Sequence, residues 1–449
     1  MNAAAIEADG ATEVRLPRLS GDGYSWTEPA RAAATAVRVF GLVALTTAAI
    51  GVAGGAIGEV LPVRLLVLLA LGALFAQARP AWRVGIASGV GLLALAMMNP
   101  VFSLYFMILV AALTVVRRRT LLFLAVLVVA AIVAPKTAFT VRYHEPGYWN
   151  WINEPSLTLA LFVSAMWLRT RAKARHGGQA PSEDPLSFVL CYLFPSHATN
   201  PIVLSPTVLS RERRIDVRAT LTLLGWFVAK AAALVALRQL GPSAFLLGLG
   251  PAGLDTLGRP ELWGMVIASY LETFLCLAAT ADIPILIGRL FGFPLPDPFR
   301  FPLLAWNPVE LWRRWGIYNR HVLLQLVYFP LGGSRQRKYL NVMLTFLASA
   351  LLLHSGWFGS KYWQVGVAGW RDQSIYFLLQ GIGVCACLAV WDWMGKPAPN
   401  RAAPRLSFAL IAAILGTQAW SALVHVVLLA PNLAIADRAR LVARCLGIA

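Results

Sequence analysis

Residues 261–288 read ELWGMVIASYLETFLCLAATADIPILIG. Apart from Glu261 at its start, Glu272 and Asp282, the stretch is apolar or weakly polar, and it is long enough to cross a ~30 Å hydrocarbon core as a helix. Comparable apolar blocks recur on both sides. Before it they fall near 33–59, 61–78, 84–98, 101–116, 120–135, 155–169 and 219–238, and after it near 339–357, 374–394 and 405–430. The pattern predicts an all-α, polytopic transmembrane bundle of about eleven spans with one or two re-entrant or broken helices. Composition agrees: 58% of the 449 residues are hydrophobic and 13% charged, against about 25% charged in soluble domains. The expected organisation is a cytosolic disordered tail at 1–32, N-terminal transmembrane helices at 33–185, a transmembrane core at 186–430 and a C-terminal tail at 431–449.

The net charge of +18 would point to nucleic acid in a soluble protein. Here the basic residues gather between apolar blocks, at Arg79 and Arg83, Arg117–Arg119, Arg169–Arg175, Arg211–Arg218 and Arg335–Lys338. Cytoplasmic loops favour Lys and Arg, so membrane topology and anionic headgroups account for the charge, and no nucleic-acid partner is expected. The tract 1–30 lacks the basic start and short apolar core of a signal peptide. With the N-terminus inside, eleven spans put the C-terminal tail outside, against the bias of its Arg438, Arg440 and Arg444. The five cysteines, Cys191, Cys276, Cys385, Cys387 and Cys445, show neither metal spacing nor a disulfide framework. No metal or cofactor is expected.

Two segments break the pattern. At 186–208 the run Phe194-Pro195-Ser196-His197-Ala198-Thr199-Asn200-Pro201 interrupts an apolar block. Its freed backbone groups need protein or a water-filled cavity around them, which predicts a broken helix lining an interior tunnel, with Pro195 at the break. The stretch 289–336 mixes Arg, Trp and Pro with short apolar pieces and cannot be one span.

Charged or strongly polar groups at membrane depth are costly and therefore informative. His354 closes the apolar run 344–353. It suits a general base toward a hydroxyl, and equally an interfacial histidine bonded to a neighbouring helix. Asn341, Thr345 and Ser349 form an i, i+4 stripe expected to be a helix-packing seam. Asp282, two residues before Pro284, is expected to cap a broken helix. Glu272 is expected to pair with a base on another helix, Lys230 to snorkel, and His425 to carry no specific signal. Trp312-Arg313-Arg314-Trp315 reads as an interfacial anchor. With Arg320, Arg335, Arg337 and Lys338 it also forms a plausible phosphate cradle, next to a flexible Gly332-Gly333-Ser334 turn.

Taken in order, Asp282, Gly288-Arg289-Leu290-Phe291-Gly292-Phe293, Pro296, Phe299, Pro302, Asn307-Pro308-Val309-Glu310-Leu311-Trp312-Arg313-Arg314-Trp315, Tyr328-Phe329-Pro330-Leu331-Gly332-Gly333-Ser334-Arg335, Tyr339-Leu340-Asn341 and His354 resemble the membrane-bound O-acyltransferase family. The resemblance covers roughly 190–357 and is to the bacterial branch of alginate-acetylation and teichoic-acid D-alanylation proteins. Phe194-Pro195 and Pro201-Ile202 look like that branch's earlier Phe-Pro…Gly-Pro-Ile segment. The resemblance implies a tunnel through the membrane. An acyl thioester donor (acyl-CoA or acyl carrier protein) would enter from the cytosol, and a hydroxyl acceptor from the other side or the bilayer. A secreted or membrane partner is compatible with this arrangement. His354 falls on the family's catalytic histidine. Where the family commonly has His or Asn after Trp-Arg-Arg-Trp, this chain has Gly316.

The expected activity is therefore acyl transfer in the cytoplasmic membrane, with His354 as base, Asn319 or His321 as helper, and Arg313, Arg314 and Arg335 on the donor phosphate. Gly316 motivates a rival reading, an inactive relative that binds lipid or a partner enzyme. The broken helix motivates another, a transporter or flippase for a lipid-linked product.

Overall fold

The computed structural model describes residues 28–57, 63–79, 82–98, 215–241, 249–350, 370–395, 407–430 and 433–448. Among these, all regular structure is helical. The helices are α1 (Glu28–Ala56), α2 (Val63–Ala78), α3 (Arg83–Met98), α4 (Val217–Gln239), α5 (Pro251–Thr256), α6 (Arg259–Leu290), α7 (Pro308–Arg314), α8 (Ile317–Leu323), α9 (Lys338–Ala348), α10 (Trp370–Trp393), α11 (Phe408–Leu429) and α12 (Ile435–Leu446). Five of them, within α1, α4, α6, α10 and α11, are long and apolar enough to cross a membrane, and α2 and α3 are shorter apolar helices. Val37, Phe40, Val52, Leu71, Phe75, Trp226, Phe408 and Leu415 stay exposed along these helices, as side chains facing lipid tails do. The chain is a multi-pass membrane protein. The expected spans 101–116, 120–135 and 155–169, and the broken segment carrying Pro195, lie outside the described residues.

Local chemistry fixes where the helices begin. Asp216 accepts from the Ala219 amide (2.9 Å), Asn307 from Glu310 (2.7 Å) and Ser407 from Leu410 (3.2 Å), each quenching a first-turn N–H that no helical carbonyl reaches. α6 opens with Pro260 in its first turn and Glu261 folded back onto the Gly258 amide. It ends where Gly292 turns left-handed at φ 83° and the Phe293 amide reaches back to the Gly288 carbonyl at 3.0 Å, a closure that favours glycine.

α6 is the hub. One core packs it against α1–α4 around Phe227, Phe291 and Phe293. A second packs its first half on α11 and α12 through Tyr270, Val426, Leu441 and Cys445, and a third joins α10 and α11 through Phe377 and Val424. The stretch 289–336 is broken as expected, into turns, a 3₁₀ turn at Pro302–Leu304, α7, α8 and a π turn at Leu324–Tyr328.

Several expectations change at this level. Asp282 caps nothing: α6 runs unbroken through it and through Pro284 to Leu290. Its carboxylate meets Lys230 of α4 at 2.5 Å, so Lys230 is paired instead of snorkelling. The pair compensates two charges that neither helix could bury alone. Glu272 pairs with Arg238 of α4 at 3.3 Å, as expected. The tail holds α12, whose arginines Arg438, Arg440 and Arg444 are engaged by other parts of the chain. Arg438 bonds Asp372 of α10 and, at 2.6 and 2.9 Å, the carbonyls of Val427 and Leu433; Arg440 meets Asp255 at 2.7 Å and Arg444 donates to the Leu257 carbonyl at 2.9 Å.

Candidate active site around the Trp-Arg-Arg-Trp elbow

α7 and α8 form an elbow with Gly316 at its corner. Gly316 is buried, with φ 53° and ψ 59°, and its carbonyl accepts the Arg320 amide at 3.0 Å. This left-handed conformation costs an ordinary L-residue about 1–2 kcal/mol and suits Gly, with Asn and His among the better-tolerated alternatives. The three residue types linked to this position by the family resemblance thus share a backbone preference. Gly316→Asn should accordingly give a folded protein close to wild type, while Gly316→Val should lose about 1–3 kcal/mol, read as a fall in the detergent-solubilised melting temperature. Equal stability of the two variants would show that the left-handed corner imposes no restraint.

The elbow is seated by backbone bonds. The Ile317 amide donates to the Pro298 carbonyl (3.0 Å) and the Arg300 amide to the Arg314 carbonyl (2.9 Å), while the Tyr318 hydroxyl donates to the Pro296 carbonyl (2.8 Å). Phe274, Phe299 and Trp315 pack behind it with centroids 5.4–5.9 Å apart, Phe299 edge-on to both of the others. In front, Trp312 contacts Phe346 of α9 and Phe377 of α10.

Arg313 and Arg314 share one carboxylate, Glu310, at 3.6 and 2.8 Å, and Arg314 lies over the Trp306 ring at 4.9 Å. One carboxylate offsets one of the two cations, so the elbow keeps a net positive charge. Arg320 adds to it, donating to the Arg313 carbonyl at 3.5 Å. Arg335 sits in the turn before α9, where its amide donates to the Gly332 carbonyl at 3.2 Å. Its turn is not flexible. Asn341 Nδ2 lies 3.0, 2.9 and 2.6 Å from the carbonyls of Leu331, Gly333 and Gln336, and Gly332 and Gly333 supply the left-handed bends at φ 99° and 59°. Asn341 is therefore a loop clamp. The α9–α10 seam is formed by Met343 and Phe346 against Gly381, where an added Cβ would sit 3.0 Å from the Met343 sulfur. Lys338 is also engaged, with both Asp392 oxygens at 2.9 Å.

Asn319 and His321 both follow Gly316 on α8, two residues apart and so on opposite sides of the helix. Asn319 is partly buried and His321 keeps an exposed edge. The surrounding protein and then the Arg320 charge hold the His321 imidazole below the usual histidine value. His354 lies outside the described residues, beyond Ser349 and Ala350 at the end of α9.

Three residues to which the sequence assigned no role matter here. Glu310 sets the charge of the arginine pair. Gln380 accepts from Trp312 Nε1 at 3.4 Å and donates to Ser421 at 3.3 Å. His425 sits buried between α6, α10 and α11. The i, i+4 polar spacing of Ser421 and His425 was the available signal.

No model of a known protein family matches the chain. It is 31% identical over 100 residues to a peptidoglycan O-acetyltransferase of Helicobacter pylori, covering 22% of this chain and 19% of that one. It is 26% identical over 114 residues to a probable alginate O-acetylase of Pseudomonas putida, covering 25% and 22%. The chain is a relative of the membrane-bound O-acyltransferases. Within the family it also matches a probable long-chain-alcohol O-fatty-acyltransferase of Arabidopsis thaliana, 28% identical over 163 residues, covering 34% and 44%. The matches therefore span about a fifth of the two bacterial family members and under half of the plant one.

Proposed function

We infer that the chain moves an acyl group from a thioester donor, acyl-CoA or acyl carrier protein, to a hydroxyl of a cell-envelope glycan, lipid or small molecule. It would do so within the cytoplasmic membrane, in a bundle of about eleven spans. The kinship carries this reading: relatives named for peptidoglycan, alginate and long-chain alcohols differ in acceptor and share O-acyl transfer. In the reaction His354 takes the proton of the acceptor hydroxyl, the oxygen attacks the thioester carbonyl, the C–S bond breaks, and the thiol leaves with a proton. Arg313 and Arg314, incompletely offset by Glu310, hold a donor phosphate, with Arg335 at the rim. Asn319 or His321 supplies the polar group that Gly316 lacks.

The test is the purified protein in vesicles with acetyl-CoA and a long-chain acyl-CoA, followed by free thiol release and by the mass of the acceptor. No ester and no thiol above background would refute the activity. Asn319→Ala and His321→Ala should not both be silent. If His321 is the helper, its depressed pKa keeps it neutral at pH 7, and its contribution disappears as pH falls through that lowered value. His321→Gln should then alter the acid limb of the pH–rate profile; superimposable limbs would leave Asn319 as the helper.

A further inference from the structure

α10 and α11 meet along a polar seam inside the membrane-spanning bundle. Gln380 of α10 bonds Ser421 of α11, and one turn further along the pair Tyr376 faces His425. His425 is 4% exposed. The rings of Tyr376 and of Tyr270 from α6 bracket its imidazole edge-on, at centroid distances of 5.3 and 5.6 Å. Despite this enclosure His425 Nδ1 has no hydrogen-bond partner among the described residues, and neither has Nε2 of Gln373, which is three residues before Tyr376 on α10 and 1% exposed. Tyr270 is already bonded to Gln418 at 3.1 Å. The nearby charges are met as well, since Asp372 bonds both Arg438 and Arg371.

Buried polar groups are almost always paired, and each one left unpaired is a cost the fold has no reason to keep. What is unmet here is neutral: an amide donor, and an imidazole nitrogen that accepts in one tautomer. A hydroxyl answers both kinds of atom, its oxygen accepting from an amide N–H and its proton going to an imidazole nitrogen. Among the described residues no cation is seen beside these two atoms to receive a carboxylate or phosphate. Tyr270 shares a core with Ala422 and Val426 of α11, and Tyr376 shares one with Phe377 of α10, so the surfaces beside the two tyrosines are apolar and the rest of the ligand is hydrocarbon. Phe377 stacks on Trp312 of the elbow at 5.9 Å, which puts the niche one side-chain layer from the proposed donor site.

We propose that His425 and Gln373, framed by Tyr270 and Tyr376, form a hydroxyl-binding niche for an alcohol with an apolar chain. This names an acceptor class for the proposed transferase and rests on that reading, while the binding itself can be measured without turnover. The probe is 1-octanol, with n-octane as the control lacking the hydroxyl. Full-length protein in detergent is labelled with a diazirine octanol, and competition is followed by mass spectrometry. Wild type should show saturable labelling on α6, α10 and α11 that 1-octanol competes and octane does not. His425→Phe, which keeps an aromatic ring between the tyrosines, should weaken octanol at least about tenfold. If His425→Phe fails to fold, Gln373→Leu carries the same expectation.

Equal competition by octane, or unchanged octanol affinity in a folded His425→Phe or Gln373→Leu protein, overturns the niche; the seam then holds an internal water at most. Octanol binding that needs His425, in a protein that transfers no acyl group, upholds the niche and removes the transferase. Acyl transfer with octanol affinity indifferent to His425 and Gln373 does the reverse.

Discussion

Replacing His354 with alanine is expected to lower acyl transfer by roughly 10²–10⁴, the usual consequence of losing a general base. The fold should survive, because the loss of one imidazole at the end of an apolar run leaves the apolar burial of the bundle in place. Initial rates at saturating acyl-CoA, compared at equal monodisperse protein, make the measurement. A folded His354→Ala protein with near wild-type rate would remove this residue from the mechanism. In that case the elbow would have to position donor and acceptor without it.

The second large effect concerns stability. Asp372→Leu should destabilise the protein by about 3–5 kcal/mol, because it takes the carboxylate from the Arg438 guanidinium, which is 4% exposed. Arg438→Met should cost less, since Arg371 still reaches Asp372 at 2.9 Å. The double variant Asp372→Leu/Arg438→Met should recover most of the loss, as apolar replacement of a whole buried pair often does. Thermal unfolding of the three proteins in one detergent decides it. Additive losses in the double variant would mean that the two side chains are not energetically coupled.

The spans now described were legible because hydropathy is a property of local sequence. So was the fragmentation of 289–336, where Pro, Gly and Trp recur too often for a helix to continue. The Glu272 pairing followed from the cost of an unpaired carboxylate. The pairs that were missed are set by which helices touch. Nothing near Lys230 announces Asp282, 52 residues away, and nothing near Asp372 announces Arg438, 66 residues on. Asp282 looked like a helix end because Pro284 follows it, yet the helix tolerates that proline where it is buried on all sides. Gly316 was read as a lost functional group, because a one-letter code does not show φ. His425 looked like a span-end histidine until α6 and α10 were seen to close over it.

The bond between Asp372 and Arg438 also sets an order of events during synthesis. Arg438 is made 66 residues after Asp372, which at ~5–20 residues per second is roughly 3–13 s later. Throughout that interval α10 must be accepted by the membrane carrying a carboxylate whose eventual partner has not yet left the ribosome. Arg371, made immediately before it, can serve as a provisional counter-ion, to be demoted to the rim once α12 folds back. Such a hand-over would make the last helix a proofreading step, since a nascent chain that never completes α12 keeps an under-neutralised acid for membrane quality control to find.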